Sequence, residues 1–192
     1  MRVIAGTARG RRLVGPATHK TRPLTDRARE GVFSALGDWV EDADVLDLYA
    51  GSGSIGIEAL SRGAHRAVFV EKSREALEAL RRNLANLGFV NATVVGQDVG
   101  DYLRSASGEF HLIFFDPPWE LDDEILIDQM RASARLAAEG AEMMVHRRAS
   151  NPQPAVPDGW SLLSARRYGD GVIYRYERSV REQLDQNRPP ST

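Results

Sequence analysis

One stretch constrains the fold of this chain more than any other: VLDLYAGSGSIGIEAL, residues 45–60, where a short apolar run meets three glycines spaced as GxGxxG. A strand that passes through such a loop directly into a helix is the opening unit of an open α/β sheet. Gly51, Gly53 and Gly56 let the backbone turn tightly and come close to a ligand, and the helix N-terminus behind them offers free N–H groups. RAVFV, ATVVG and HLIFF repeat the apolar theme, separated by amphipathic segments, and are apolar enough to be covered on both faces. The clearest helix is SREALEALRRNLANLG, with Ser73 as its cap and Gly88 as its stop. After AEMMVHRR, the runs WSLLSARRY and GVIYRYER read as an antiparallel hairpin turning at Gly169, Asp170 and Gly171. The pattern predicts an α/β, Rossmann-like, mostly parallel sheet that ends in an antiparallel hairpin.

Ahead of this region, VIA and RLV flank the stretch GTARGR and predict a small N-terminal β-hairpin, too small to be stable alone. The segment TDRAREGVFSALGDW predicts a helix capped by Thr25 or Asp26, with Ala28, Val32, Phe33, Leu36 and Trp39 inward and Arg27, Arg29 and Glu30 outward. Residues 1–40 thus read as a hairpin-plus-helix extension, 41–180 as the main domain, and 181–192 as a disordered polar tail. At 192 residues and 42% hydrophobic the chain can bury one core of ordinary domain size.

Charge is distributed unevenly along the chain. The net is −2, yet residues 1–29 hold seven arginines and Lys20 against Asp26 alone, about +7. Arg2, Arg9, Arg11, Arg12, Lys20, Arg22 and Arg29 are the candidate contacts for a polyanion, since phosphate neutralisation drives nucleic-acid association. A solvated basic surface is the plain alternative. There is no cysteine, which excludes disulfides, thiolate metal sites and a cysteine nucleophile. His19, His65, His111 and His146 lack metal-ligand spacing, so no metal is expected. No apolar stretch reaches the roughly 18 to 20 residues of a membrane span, and the first residues lack the apolar core of a secretion signal. A soluble, cytoplasmic protein without a membrane partner is the expectation.

The glycines alone do not choose a cofactor, and NAD would fit them. Glu71, ending the next strand twenty residues after Gly51, can accept bonds from ribose hydroxyls. Asp47 lies inside the strand before the loop, where a carboxylate repels a pyrophosphate and attracts an ammonium group. S-adenosylmethionine carries that ammonium and no phosphate. Asp98, followed by Val99 after the third strand, is placed to accept from an adenine amine or, equally, to cap a helix.

The fourth run ends in FFDPPWE, residues 114–120. Prolines stop a strand because they lack an N–H, but at the C-terminal edge of such a sheet ligands collect. Asp116, Pro117, Pro118 and Trp119 here resemble the hallmark of class I S-adenosylmethionine-dependent amino-methyltransferases: an Asp or Asn, two prolines and an aromatic. Together with RVIAGTARGRRL, TRPLTDRAREGVFSAL and VLDLYAGSGSIGIEALSRGA, the chain resembles the RsmD family of bacterial 16S ribosomal RNA guanine-N2 methyltransferases over roughly residues 1 to 180. It departs from the usual family pattern at Leu24, where RPT is common, and at Trp119, where Phe or Tyr is common.

The resemblance implies a class I methyltransferase fold, S-adenosylmethionine as donor with S-adenosylhomocysteine as product, and a specific guanine of 16S rRNA, position 966. It further implies that a small ribosomal subunit or assembly intermediate presents that base. Asp116 and the Pro117 carbonyl would accept the two N–H bonds of the amine, and Trp119 would stack on the base. An ordinary carboxylate, of pKa about 4, is too weak to deprotonate the neutral amine beforehand, so Asp116 is a proton sink. Residue chemistry alone leaves open adenine N6 as the target, an NAD-dependent oxidoreductase, and a noncatalytic RNA-binding module.

Overall fold

Period-two alternation in the apolar runs decides how the molecule is layered. The computed structural model describes residues 1–15 and 24–179. Strands β1 (Asp44–Leu48), β2 (Arg66–Val70), β3 (Ala92–Val95), β4 (Phe110–Phe115), β5 (Ala137–Arg148), β6 (Trp160–Tyr168) and β7 (Gly171–Arg178) form one sheet in the order β3-β2-β1-β4-β5-β7-β6. The first five are parallel, and β7 runs antiparallel between β5 and β6. Helices α1 (Asp26–Leu36), α2 (Ser54–Ser61), α3 (Arg74–Leu87), α4 (Val99–Ser105) and α5 (Asp123–Ala134) cover the faces. Along β1, Val45 joins a core with α1, α2 and α3, whereas Leu46 and Leu48 join a second core with α4 and α5. Successive strand side chains point to opposite faces, so continuous apolar runs are what a sheet covered on both sides requires.

The caps follow from local chemistry. Thr25 accepts from the Ala28 N–H and opens α1, Ser73 accepts from Ala76 and opens α3, and Gly88, at φ +76°, closes α3. The first helix is shorter than its spacing predicts. It ends at Leu36 because Gly37 turns the chain at φ +56°, and Trp39 falls in the following 3₁₀ turn (Gly37–Val40), where it is 49% exposed instead of inward.

The N-terminal hairpin is a tight loop with a single antiparallel bridge, Arg2 to Arg12, not two regular strands. Backbone bonds join its arms, from Val3 N–H to the Arg11 carbonyl and from Leu13 N–H to the Met1 carbonyl, and it is also tied to the body of the protein: the Ile4 and Ala5 N–H groups donate to the Glu58 carboxylate of α2 at 2.7 and 3.0 Å. Val3, Ala8 and Leu13 are buried in the same core as α1, α2 and α3. Arg29 also departs from expectation. Its side chain is 0% exposed, bonded to Asp26 at 2.9 Å and to the Arg2 carbonyl, with Nε 3.9 Å from Glu58. A wholly buried carboxylate demands a nearby cation, and Arg29 and Arg62 supply it, so Arg29 presents no face to a phosphate. The expected tail at 181–192 lies outside the described residues, as do Lys20 and Arg22.

Glu58→Ala orphans two backbone donors and leaves the Arg29 charge buried, so it should destabilise the fold by about 3 to 5 kcal/mol. Urea unfolding of the variant against the parent measures this.

Candidate active site

Parallel register sets the site. β1 lies between β2 and β4, with Leu48 opposite both Val70 and Phe115. The residues that follow these three strands therefore emerge together at the C-terminal edge, bringing the glycine loop, Glu71 and Asp116 to one place.

The glycine loop is braced from below. Asp47 is 1% exposed, and its Oδ2 accepts from the Gly56 N–H at 2.9 Å. Its Oδ1 is buried with no partner among the described residues. Burial pushes this carboxyl up to about 7; the Gly56 N–H works against the shift, and the charges of Asp116 and Glu71 add to it. Gly53, the cap of α2, sits at φ +87°, a backbone conformation that side-chain-bearing residues rarely adopt. Gly56 is required for a different reason, because a Cβ there would lie 2.3 Å from the Phe69 ring. Gly51, at φ +56°, donates its N–H to Glu71 at 2.9 Å, and the other Glu71 oxygen accepts from Lys72 and Ser73.

Asp98 caps α4 by accepting from Gly100 at 2.9 Å and pairs with Lys72 Nζ at 2.9 Å. Lys72 holds its carboxyl below the usual carboxylate range, with burial opposing. The Val99 side chain packs into the α4–α5 core. Tyr49 was not legible as part of this region. It holds φ +63°, and its hydroxyl donates to Gln129 Oε1 at 2.6 Å; burial pushes the phenol up to about 12.

The Asp-Pro-Pro-Trp turn is held from two neighbours in β5. Asp116 N–H donates to the Leu48 carbonyl at 3.3 Å, and Asp116 Oδ1 lies 2.7 Å from His146 Nδ1. Arg147, 0% exposed, donates to the Pro118 and Leu121 carbonyls at 3.3 and 2.9 Å and to Asp123 at 2.6 Å. The Pro118 carbonyl also accepts from Leu121 N–H at 3.0 Å. No hydrogen bond among the described residues uses the Pro117 carbonyl. Trp119 meets the His146 ring edge-on at 6.2 Å, and the Arg148 guanidinium lies 5.5 Å from its ring centre. His146 and Arg147 carry no motif; only the register of β4 against β5 reveals them.

The basic segment is partly committed. Arg2, Arg9 and Arg12 are exposed, while Arg11, also exposed, donates to the Asn86 carbonyl at 2.8 Å. Asn83, 1% exposed, bonds both the Val14 backbone and the Ser52 carbonyl, tying this segment to the glycine loop. Among the described residues no cluster of three or more His, Asp or Glu could hold a metal ion, and no helix is long and apolar enough to cross a membrane.

A seven-stranded sheet of this order, with a glycine loop after β1 and an acidic edge beside it, is the Rossmann-like class I methyltransferase fold. The solved structure of yhhF from Escherichia coli superposes with a TM-score of 0.85 at 33% identity, covering 94% of this chain and 99% of that one. A hypothetical protein of Thermus thermophilus gives a TM-score of 0.78 at 30% identity, covering 91% and 98%. Residues 1–177 match the family described as conserved hypothetical protein 95. The ribosomal RNA small subunit methyltransferase D of Escherichia coli K12 is 36% identical over 186 residues, 96% of this chain and 93% of that protein. Its namesake in Haemophilus influenzae is 31% identical, covering 91% and 92%. The chain belongs to this ribosomal RNA small subunit methyltransferase D family.

Arg147→Met should remove the anchor of the Pro118 carbonyl and cost about 1.5 to 3 kcal/mol, the range for hydrogen bonds to a charged group. Denaturant melts, with limited proteolysis of the 116–123 turn, read the effect.

Proposed function

We propose that this protein transfers a methyl group from S-adenosylmethionine to the exocyclic N2 amine of one guanine in 16S rRNA, at position 966 on the family resemblance. The observation that carries the reading is the meeting of an acidic glycine-loop cleft with the Asp-Pro-Pro-Trp turn at one sheet edge. Residues 41–180 would be the catalytic unit and 1–40 its RNA-contacting extension, acting in the cytoplasm on a small subunit or its assembly intermediate.

The residues present fit this cofactor. Asp47 Oδ1, buried and unpartnered, suits an ammonium group. Asp47, Glu71 and Asp116 together would repel the pyrophosphate of NAD. Glu71 would accept from ribose hydroxyls, Asp98 would receive the adenine amine, and Gly51, Gly53 and Gly56 would admit the ligand to the backbone, with the Val99 main chain beside it. When bound, S-adenosylmethionine supplies a methyl group activated by its sulfonium.

The amine of guanine is a poor nucleophile because its lone pair is delocalised into the ring. Asp116 accepts one of its N–H bonds and the Pro117 carbonyl the other, which turns the developing lone pair toward the methyl group. Once the N–C bond forms, the nitrogen becomes acidic and its proton passes to Asp116. Trp119 provides a stacking face, worth about 1 to 3 kcal/mol per base. Placing two reactants in line accounts for about 7 to 11 kcal/mol of barrier lowering, so positioning outweighs acid–base chemistry. Extruding a stacked base costs a few kcal/mol, which phosphate contacts from Arg2, Arg9 and Arg12 offset.

Mass mapping of modified nucleosides in 16S rRNA tests the reading, using naked RNA and small subunits isolated from a strain lacking the activity. One N2-methylguanosine is expected, and Asp116→Ala should abolish it while S-adenosylhomocysteine still binds. N6-methyladenosine, or no incorporation at all, would overturn the assignment.

Asp47 gives the cofactor site a pH dependence. Its carboxyl is pushed up to about 7 in the free protein, and an ammonium partner favours the ionised form. Binding therefore releases a proton below that pH, and calorimetry should find S-adenosylhomocysteine held roughly tenfold more weakly near pH 6 than near pH 8. Asp47→Asn should bind more weakly throughout and lose the slope.

A further inference from the structure

His146 sits one residue beyond the last registered pair of β4 and β5, Phe115 with Val145, and so lies beside Asp116. Its ring is enclosed on the remaining sides. A Cβ on Gly171 of β7 would lie 2.3 Å from Nε2, Trp119 meets the ring edge-on, and Phe114, Phe115, Met144 and Ile173 line the apolar hollow that the ring borders. The hydrogen bond from this ring among the described residues is the one at 2.7 Å to Asp116 Oδ1. With Asp116 ionised, as its role above requires, the carboxylate only accepts and the proton in that bond belongs to Nδ1.

We propose that His146 is a positioning residue for methyl transfer. By donating from Nδ1 to Oδ1 it fixes the Asp116 carboxylate about its terminal torsion and leaves Oδ2 as the acceptor for the substrate amine. The proposal rests on the role given to Asp116 above. Terminal carboxylate torsions are broad and nearly unhindered, so without this bond the acceptor would sample many directions. Gly171 is part of the device, because only a residue without a side chain lets β7 close against the ring. In the transfer the N–C bond forms, the C–S bond breaks with its electron pair going to sulfur, and the N2 proton passes to Oδ2. His146 neither gains nor loses a proton in this sequence.

The test compares His146→Leu and His146→Asn in the full chain with small subunits as substrate. His146→Leu should lower kcat roughly 100-fold, the cost of misplacing a reacting group by about 1 Å. KM and S-adenosylhomocysteine affinity should stay within about twofold. Asn, whose amide can donate from near the Nδ1 position, should recover roughly tenfold of the lost kcat. A His146→Leu enzyme with full kcat, or an Asn variant no better than Leu, overturns the proposal. Should the Leu variant fail to fold, imidazole nitrogen NMR on the parent protein decides: a protonated Nδ1 supports the donor role, and a ring protonated only on Nε2 overturns it. Asp116→Ala, assayed alongside, separates the two claims. If it stays active, the catalytic role of Asp116 fails; if it is dead while His146→Leu is fully active, only the positioning claim fails.

Discussion

The site depends on one constraint, the parallel register that places β1 between β2 and β4. Because the three strands end together, Asp47, Glu71 and Asp116 are forced toward one edge whatever their mutual repulsion. Each is held by donors that make the crowding tolerable: the Gly56 N–H for Asp47, three backbone N–H groups for Glu71, and His146 for Asp116. What the donors leave uncompensated shows in Asp47, whose buried carboxyl is pushed up to about 7. Such a cleft lowers the energy of a cation and raises that of a phosphate, so the sheet register already discriminates among nucleotide-like cofactors.

The N-terminal segment depends on that frame as well. Two buried polar side chains of the sheet-covering helices bind it: Glu58 takes the Ile4 and Ala5 N–H groups, and Asn83 bonds Val14 while also holding the Ser52 carbonyl of the glycine loop. Phosphate contacts orient a nucleic acid only if the cations making them are fixed relative to the chemistry. A free arm would lose roughly 1 to 2 kcal/mol per residue on ordering, whereas a segment already docked has met that cost in folding. Arg29 illustrates the trade. Its charge neutralises Glu58 in the interior, while Arg2, Arg9 and Arg12 remain exposed.

The strands, their order of appearance, the glycine loop and the Asp-Pro-Pro-Trp turn were legible in the sequence, because each is written in local periodicity or in proline and glycine chemistry. Ser73 and Gly88 were readable as caps for the same reason. His146, Arg147 and the Glu58–Arg29 pair were not, since their partners lie 24 to 54 residues away and only the sheet register or the docking of the N-terminus unites them. Trp39 and Arg29 depart from helical spacing for two different reasons: Gly37 ends the helix before that spacing can carry Trp39 inward, and a buried carboxylate, Glu58, draws Arg29 inside.

The proposed reaction would explain why so much of the structure is devoted to fixing one turn. An amine that attacks a sulfonium methyl needs no strong base, because its proton becomes acidic only after the new bond has formed. Direction is what the acceptors must provide. Pro117 and Pro118 lock φ at consecutive positions, Arg147 fixes the Pro118 carbonyl, and the Leu48 carbonyl holds the Asp116 N–H. Each contact is worth about 1 to 3 kcal/mol in stability, yet in the proposed reaction the geometry they preserve would lower the barrier by about 7 to 11 kcal/mol. In the proposed reaction, strand termination and catalysis would be the same event in this fold: the prolines that end β4 would also fix the direction of the acceptors beyond it.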